Sequence, residues 1–402
     1  MKMHKLILGA VALFTCIAAL FGCVVTSFGQ AQQAQATIPY FTYGKGLGIT
    51  SPDSLFSMNI RFRIQNRAAF KTVSEDDFTI DEVEARVRRM RLRFDGFVYS
   101  PKLTYVIQLS FSRGDMDYEA MGFPNIIRDA YVQYAFAKNF SVGLGQTKLP
   151  GNRQRINSSG DLQFADRSIV NSTFNIDRDF GLQFTYKTKL ASLRGAISTG
   201  EGRNISSSDR GLAYTGRLEF QPFGAFTNGG DYFEGDLARE KKQKVAIGLT
   251  YSFNENTTRT GGQLGTFLYG TADIGTQMID FLYKYNGWSF ATEYLKRTSP
   301  SPITTNPDDG ALRYVYVGYG QNYQASYNFK SNWEIALRYS MVTPQDEIEA
   351  LEKKKEHYTV GINKYFRGHR VKIQNNVTLE RVHGSLDVAQ AWIYCFQVEV
   401  GI

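Results

Sequence analysis

The sequence predicts an all-β fold, a 16-stranded antiparallel transmembrane β-barrel with an infolded constriction loop. Three observations predict it. Apolar and polar residues alternate along short segments of the chain, tight turns and long polar connections alternate between those segments, and aromatic residues gather near the segment ends. Successive side chains of a strand point to opposite faces, so each alternating segment makes a sheet with two unlike sides. In a soluble sheet the apolar side meets a core. In a transmembrane barrel it meets lipid, and the polar side meets an aqueous lumen. The alternation of short and long connections separates the two, because a sandwich has no reason for it and a barrel with short periplasmic turns and longer outside loops does.

The N-terminus is read first. Met1–Lys5 is short and basic, Leu6–Val25 is almost purely apolar, and small residues with A-x-A-like sites follow over Ser27–Ala36. This is the pattern of a secretory signal peptide, residues 1–29, with cleavage between Gly29 and Ala36. An uncleaved anchor helix and lipidation at Cys23 are the alternatives, and Phe21 serves the second poorly. Residues 30–54 are then an N-terminal periplasmic segment and 55–402 the barrel. The 46 Lys and Arg, less Lys2 and Lys5, stand against 38 Asp and Glu, a net charge near +6. Loss of Cys16 and Cys23 leaves Cys395, so no intramolecular disulfide forms and an exported chain must rely on burial and backbone pairing. The 24 Tyr, 29 Phe and 37 Gly, with only 10 Pro, favour strands and turns.

In the first strand, 55–67, which contains the run MNIRFRIQNR, Phe56, Met58, Ile60, Phe62 and Ile64 share one face and Ser57, Asn59, Arg61, Arg63, Gln65 and Arg67 the other. In the second, 87–99, Met90, Leu92, Phe94 and Val98 stand opposite Arg89, Arg91, Arg93 and Asp95. The third, 102–112, sets Leu103, Tyr105, Ile107, Leu109 and Phe111 against Thr104, Gln108, Ser110 and Ser112. Thirteen more follow at 126–137, 139–148, 179–187, 189–199, 211–221, 244–253, 277–286, 288–297, 313–328, 332–340, 357–366, 369–380 and 388–400. The tight turns include Ser100-Pro101, Lys187–Lys189 and Asn286-Gly287, the last a strong two-residue hairpin signal. Longer connections fall at 68–86, 113–125, 149–178, 298–312 and 341–356. One segment breaks the rule: 222–243 is long and charged where the alternation requires a short turn, and the sequence assigns it no role. The last strand, AWIYCFQVEVGI, again separates Trp392, Tyr394, Phe396, Val398 and Val400 from Gln397 and Glu399.

The segments RRMRLRFDGFVY (88–99), RDAYVQY (128–134), GQTKLP (145–150), FADRSIVNSTFNIDRDFGLQ (164–183), GRLEFQPFG (216–224), WEIALRYS (333–340) and YTVGINKYFRGHRVKIQ (358–374) resemble the phosphate-selective porin O/P family. They span nearly all of 55–402, so the resemblance is to a whole barrel. It implies an integral porin of the bacterial outer membrane, usually a homotrimer, that carries anions such as phosphate past lumenal arginines and lysines. Two positions depart from the family: Ile402 and Thr147 stand where aromatic residues are usual.

The polar faces carry the chemistry. Arg61, Arg63, Arg89, Arg91 and Arg93 project inward from adjacent strands about 4.8 Å apart, and like charges facing one another destabilise a sheet. An aqueous channel tolerates them, and several weak cationic positions in series suit conduction better than one tight site. The guanidinium fork fits oxyanions and keeps its charge. These five are the expected anion path, each influencing current more than folding. The plainer alternative is that they pair with Asp95, Glu84 or Glu219. The thirty-residue segment 149–178 is expected to fold inward and narrow the pore, with Arg153, Arg155, Arg167 and Arg178 on it; long loops of this kind are usually functional. Arg217 with Glu219, Glu334 with Arg338, and Lys372 near Gln374 read as wall-stabilising pairs. The Gly-, Ala- and Ser-rich stretches 141–147 and 190–197 are expected to face outward, against a neighbouring wall.

No HExxH, GxSxG, CxxC or phosphate-loop motif occurs, and the sequence supports neither a metal, a cofactor nor an enzyme. The function predicted is a passive anion channel. A weakly selective general porin and a structural barrel plugged by its own loops are the alternatives.

Overall fold

The computed structural model describes residues 40–44, 46–118, 122–205, 211–384 and 387–402. The signal-peptide expectation lies outside the described residues. An N-terminal hairpin, β1 (Tyr40–Gly44) and β2 (Gly46–Thr50), precedes β3 (Phe56–Thr72), β4 (Ile80–Val98), β5 (Ser100–Ser110), β6 (Ile127–Ala137) and β7 (Phe140–Lys148). The chain continues through β8 (Arg178–Lys187), β9 (Ala191–Ser198), β10 (Ala213–Phe220), β11 (Lys244–Arg259), β12 (Phe267–Tyr285) and β13 (Trp288–Thr298). A small hairpin, β14 (Ile303–Thr305) with β15 (Leu312–Tyr314), forms its own two-stranded sheet and packs on the start of β12, where Tyr269 N donates to Thr304 Oγ1 at 3.2 Å. The wall is completed by β16 (Gly318–Asn328), β17 (Trp333–Pro344), β18 (Lys355–Tyr365), β19 (Val371–His383) and β20 (Val388–Gly401).

Sixteen of these, β3–β13 and β16–β20, form the barrel, each antiparallel to its neighbour. The seam closes where β20 pairs with β3, from Gly401 opposite Arg63 to Ile393 opposite Lys71. Below that seam β2 takes over, pairing Thr50 with Ser57 through Leu47 with Ile60.

Burial is inverted relative to a soluble protein. Along β10 the alternation is complete: Ala213, Thr215, Arg217 and Glu219 are buried, and Tyr214, Gly216, Leu218 and Phe220 are exposed. Elsewhere Leu249, Ile279, Leu337, Val360 and Ile362 are exposed while Asp280, Lys284, Glu293 and Glu334 are buried. Polar side chains fill the inside and apolar ones cover the outside, as a lipid-facing wall requires. Trp288, Trp333 and Phe366 are exposed at the rim that carries the short turns.

Three expectations change in detail. The connection expected at 68–86 is mostly strand, and only 73–79 remains as loop. The cause is a β-bulge at Arg88: Gln65 pairs with Arg89 but Asn66 pairs with Val87. The extra residue breaks the period of two, so the alternation loses phase where the strand continues. Second, Leu312–Tyr314 belongs to the small hairpin, and the barrel strand expected from 313 starts at Gly318. Third, on β7 the small residues face the lumen: Ser141 Oγ accepts from Gln133 Nε2 at 2.5 Å, and Tyr131 lies across Gly143, where an added Cβ would collide with its hydroxyl. Facing outward there are Phe140, Val142 and Leu144.

Two segments enter the lumen from opposite rims. The first, 149–177, carries two short helices, α1 (Arg153–Ile156) and α2 (Ile169–Phe174). Its Leu149, Val170, Phe174 and Ile176 pack on Ala196, Met278, Leu295 and Val342 of the inner wall. Gly320 makes room for it: a Cβ there would meet Val170 Cγ1 at 2.8 Å. The second is the insert at 221–243. Phe226 packs on Ala246 and Leu282, Lys284 Nζ donates to Gly230 O at 2.7 Å and Phe233 O at 2.8 Å, and Gly287 N donates to Asp236 Oδ2 at 2.8 Å. The two segments meet. Glu234 accepts from Gln154 Nε2 at 3.1 Å and from Gln163 N at 2.9 Å, and its own N–H donates to Asp161 O at 2.8 Å. Together they pack against inward residues of β10–β13 and β16–β18, among them Glu219, Ala246, Asp280, Glu293, Gln324, Glu334 and Asn363.

Candidate functional site

Between the infolded loop and the walls nearest the seam lies a cavity of about 1260 Å³. Arg61, Arg63, Arg89, Arg91 and Arg93 all line it, as do Arg67, Lys71 and Arg88. Strand parity explains the first five, because Arg61 pairs with Arg93 and Arg63 with Arg91 on the polar face. The bulge explains Arg88. It lets two consecutive residues, Arg88 and Arg89, both reach the lumen, and it passes the inward face to Arg86, Glu84 and Glu82 beyond it.

Each of the five expected arginines has an acidic partner. Arg93 Nε lies 2.9 Å from Asp95 Oδ1, which also pairs with Arg61. Arg63 lies 3.7 Å from Glu399 and donates to Ser158 Oγ at 3.1 Å and Ser159 Oγ at 2.7 Å. Arg91 Nε donates to Asp115 at 2.6 Å and Nη1 to Ser159 Oγ at 2.8 Å. Arg89 binds Gln65 Oε1 at 2.8 Å and Asp166 at 3.1 Å. Only Asp95 among these carboxylates comes from the neighbouring strand position that the sequence singled out. Asp115 and Asp166 arrive from connections, so pairing along the strands could not have revealed them.

The four loop arginines separate. Arg153 lies outside the cavity: its Nε is 2.8 Å from Asp280 Oδ1, Nη1 donates to Asp231 O at 3.0 Å, and it anchors the loop to the filled half. Arg155, paired with Asp177, lines the cavity. Arg167 lines it too, held by the backbone carbonyls of Gln154 at 2.6 Å and Asn157 at 2.9 Å. Arg178 is the first residue of β8, gripping Asp129 through Nε at 3.0 Å and Nη2 at 3.2 Å.

Of the wall pairs, Arg217 does bind Glu219, at 2.9 Å. Arg338 does not bind Glu334. It donates to Asp166 O at 2.9 Å and lies over the Phe164 ring at 4.4 Å, while Glu334 accepts from Gln163, Asn328, Asn363 and Tyr365. Lys372 turns to Glu399 at 3.5 Å and to the loop carbonyls of Gly160 and Leu162. Alternation gives the face of each residue, but partners on an infolded loop carry no periodic signal.

Electrostatically the cavity is positive. Its lining holds seventeen Lys and Arg against nine Asp and Glu, so the acidic partners leave a cationic surplus. On the loop, burial opposes ionisation of Asp166, but Arg88, Arg89 and Arg67 outweigh it and hold the carboxyl below its ordinary range. Asp161 behaves oppositely: burial raises it to about 6, against the pull of Lys372 and Arg63. Among the described residues no group of three or more His, Cys, Asp or Glu is arranged to hold a metal ion.

A family model described as phosphate-selective porin O and P matches residues 58–386, most of the chain. The chain belongs to this family. It is an integral outer-membrane porin, and family and barrel together indicate a channel rather than an enzyme. The porin is 24% identical over 362 residues to an uncharacterized protein of Aquifex aeolicus (strain VF5), covering 80% of this chain and 81% of that one. Among solved structures it is similar in fold to the outer membrane channel DcaP of Acinetobacter baumannii, with TM-score 0.55, 11% identity and coverage of 86% of this chain and 97% of that one. It is likewise similar to an anion-selective porin from Comamonas acidovorans, with TM-score 0.54, 12% identity and coverage of 86% and 99%. With the porin orientation, the short-turn rim is periplasmic, the loop 149–177 enters from outside and the insert 221–243 from the periplasm.

Proposed function

We propose that this porin is a passive diffusion channel favouring anions, with phosphate and related oxyanions as its preferred solutes, and that it works as a homotrimer in the outer-membrane lipid. The observation that carries the reading is the cationic surplus of the cavity lining, seventeen basic against nine acidic side chains. A lumen of one sign, walled by low-dielectric protein, concentrates counter-ions and speeds their entry. Arg61, Arg63, Arg89, Arg91 and Arg93, with Arg155 and Arg167 facing them from the loop, offer an anion successive shallow positions. Phosphate as solute and three-fold assembly rest on the family.

A second reading, a weakly selective general porin, is favoured by the acidic partner that each of the five arginines has. A third, a plugged structural barrel, is favoured by the two segments packed together in the lumen. Planar-bilayer recordings separate them. The anion channel gives a zero-current potential of anion-selective sign across a KCl gradient, and added phosphate reduces its chloride current. A potential near zero selects the general porin, and absence of conductance selects the plugged barrel. Trimer assembly is tested by mass in mild detergent, where a single-chain species alone rules it out.

A further inference from the structure

Three guanidiniums converge on one carboxylate of the infolded loop. Asp166 Oδ1 accepts from Arg88 Nη2 at 2.9 Å and Arg89 Nη2 at 3.1 Å, and Oδ2 pairs with Arg67 Nη1. Among the described residues Asp166 supplies the one carboxylate partner that Arg88 and Arg89 have, and the Nε of each is buried without a partner. The carboxylate still faces the cavity, at 37% side-chain exposure. A planar carboxylate with three guanidiniums around it occupies the place a tetrahedral oxyanion would take, since phosphate and carboxylate use the same fork geometry.

The loop does not need this carboxylate to stay in place. Its apolar residues pack on the inner wall, Arg153 binds Asp280, Glu293 accepts from Gln154 N at 2.8 Å and Asn152 Nδ2 at 3.1 Å, and Asp166 itself is fixed through its backbone oxygen by Arg338. The wall, in turn, does not gather these three cations by alternation alone. The bulge at Arg88 brings two adjacent residues to the same face.

We propose that Asp166 is a built-in competitor seated in an oxyanion site formed by Arg67, Arg88 and Arg89, and that it sets how weakly the pore holds its anions. This rests on the anion-channel reading above. An oxyanion entering the seat must displace a tethered carboxylate and is itself displaced when the carboxylate returns. Residence is then short, which conduction requires.

The test compares wild type with Asp166→Asn, Asp166→Glu and the double variant Asp166→Asn/Arg88→Gln in planar bilayers, with inorganic phosphate added against chloride current. Asp166→Asn should lower the half-blocking phosphate concentration by about tenfold, the scale of one charge-assisted hydrogen bond, and raise anion preference. Asp166→Glu should stay near wild type, and Arg88→Gln should cancel the gain. An unchanged half-blocking concentration in Asp166→Asn, in a pore whose wild type is anion-selective, overturns the inference and leaves the channel reading standing. A larger, unselective conductance in that variant means the carboxylate anchors the loop, which also overturns it. A cation-selective wild type overturns the channel reading itself and this inference with it.

Discussion

Asp161 shows how much one residue can decide in a crowded lumen. It makes no ion pair among the described residues, and the charges around it are Lys372, Arg63 and Lys148 on one side and Glu399 on the other. Its carboxyl, raised to about 6, is neutral in acid and ionised at pH 7. The sign follows: a raised carboxyl favours the folded state at low pH and loses that contribution as pH rises through about 6. For conduction, lowering pH from 7 to 5 removes one negative charge from the path. Anion preference should therefore rise over that interval, and the rise should be smaller in Asp161→Asn, read as zero-current potential at each pH. An equal rise in both would show that other groups cause it. Arg91 needs a different expectation from the one its alternation suggests. It is buried and bonded to Asp115 and Ser159, so Arg91→Ala leaves a buried carboxylate with one partner fewer. Breaking such a pair costs about 3–5 kcal/mol, and the change should lower thermal stability in detergent as well as anion preference.

At the scale of the element, the strand is the unit that sequence reports well. Arg61, Arg63, Arg89, Arg91 and Arg93 were legible because a period of two survives along β3 and along β4 up to Arg89. Beyond it the bulge hid Arg88, and with it the continuation of β4 to Ile80. The lipid side of the same strand gives a direct check of parity. Leu92 pairs with Phe62 and Leu109 on the outward face. Leu92→Arg should cost about 2–4 kcal/mol if it lies near the bilayer midplane, measured as a lowered unfolding midpoint in denaturant with refolding into lipid. Tolerance of that change would mean the face assignment is wrong. The loop is a harder element to read. Its inward fold was legible from its length, but Arg153, Arg155, Arg167 and Arg178 took partners that no spacing encodes.

For the whole molecule, the filled half matters as much as the open one. The insert 221–243 was visible in sequence only as a misfit, a long segment where a short turn belongs. Its partners are wall residues such as Lys284 and Gly287 and the loop residues Gln154 and Gln163. Such contacts join parts of the chain that lie far apart, and alternation is silent about them. Replacing 222–243 with a two-residue turn should enlarge single-channel conductance and weaken anion preference, because the loop loses the support that holds it against the arginine-lined path. An unchanged conductance in bilayers would show that the insert fills space without shaping the current.

The seam between β3 and β20 also has a consequence in time. Pairing the first barrel strand with the last is the most non-local strand pairing among the described residues, and such contacts form late. Until Ile393–Gly401 arrives, the edge of β3 from Arg63 to Lys71 presents unpaired backbone groups, a template on which another chain can dock. That waiting edge carries Arg63, Arg67 and Lys71, and charge along an edge repels a second copy of the same strand. Side chains that line the finished lumen thus guard the unfinished sheet while the chain is still in transit.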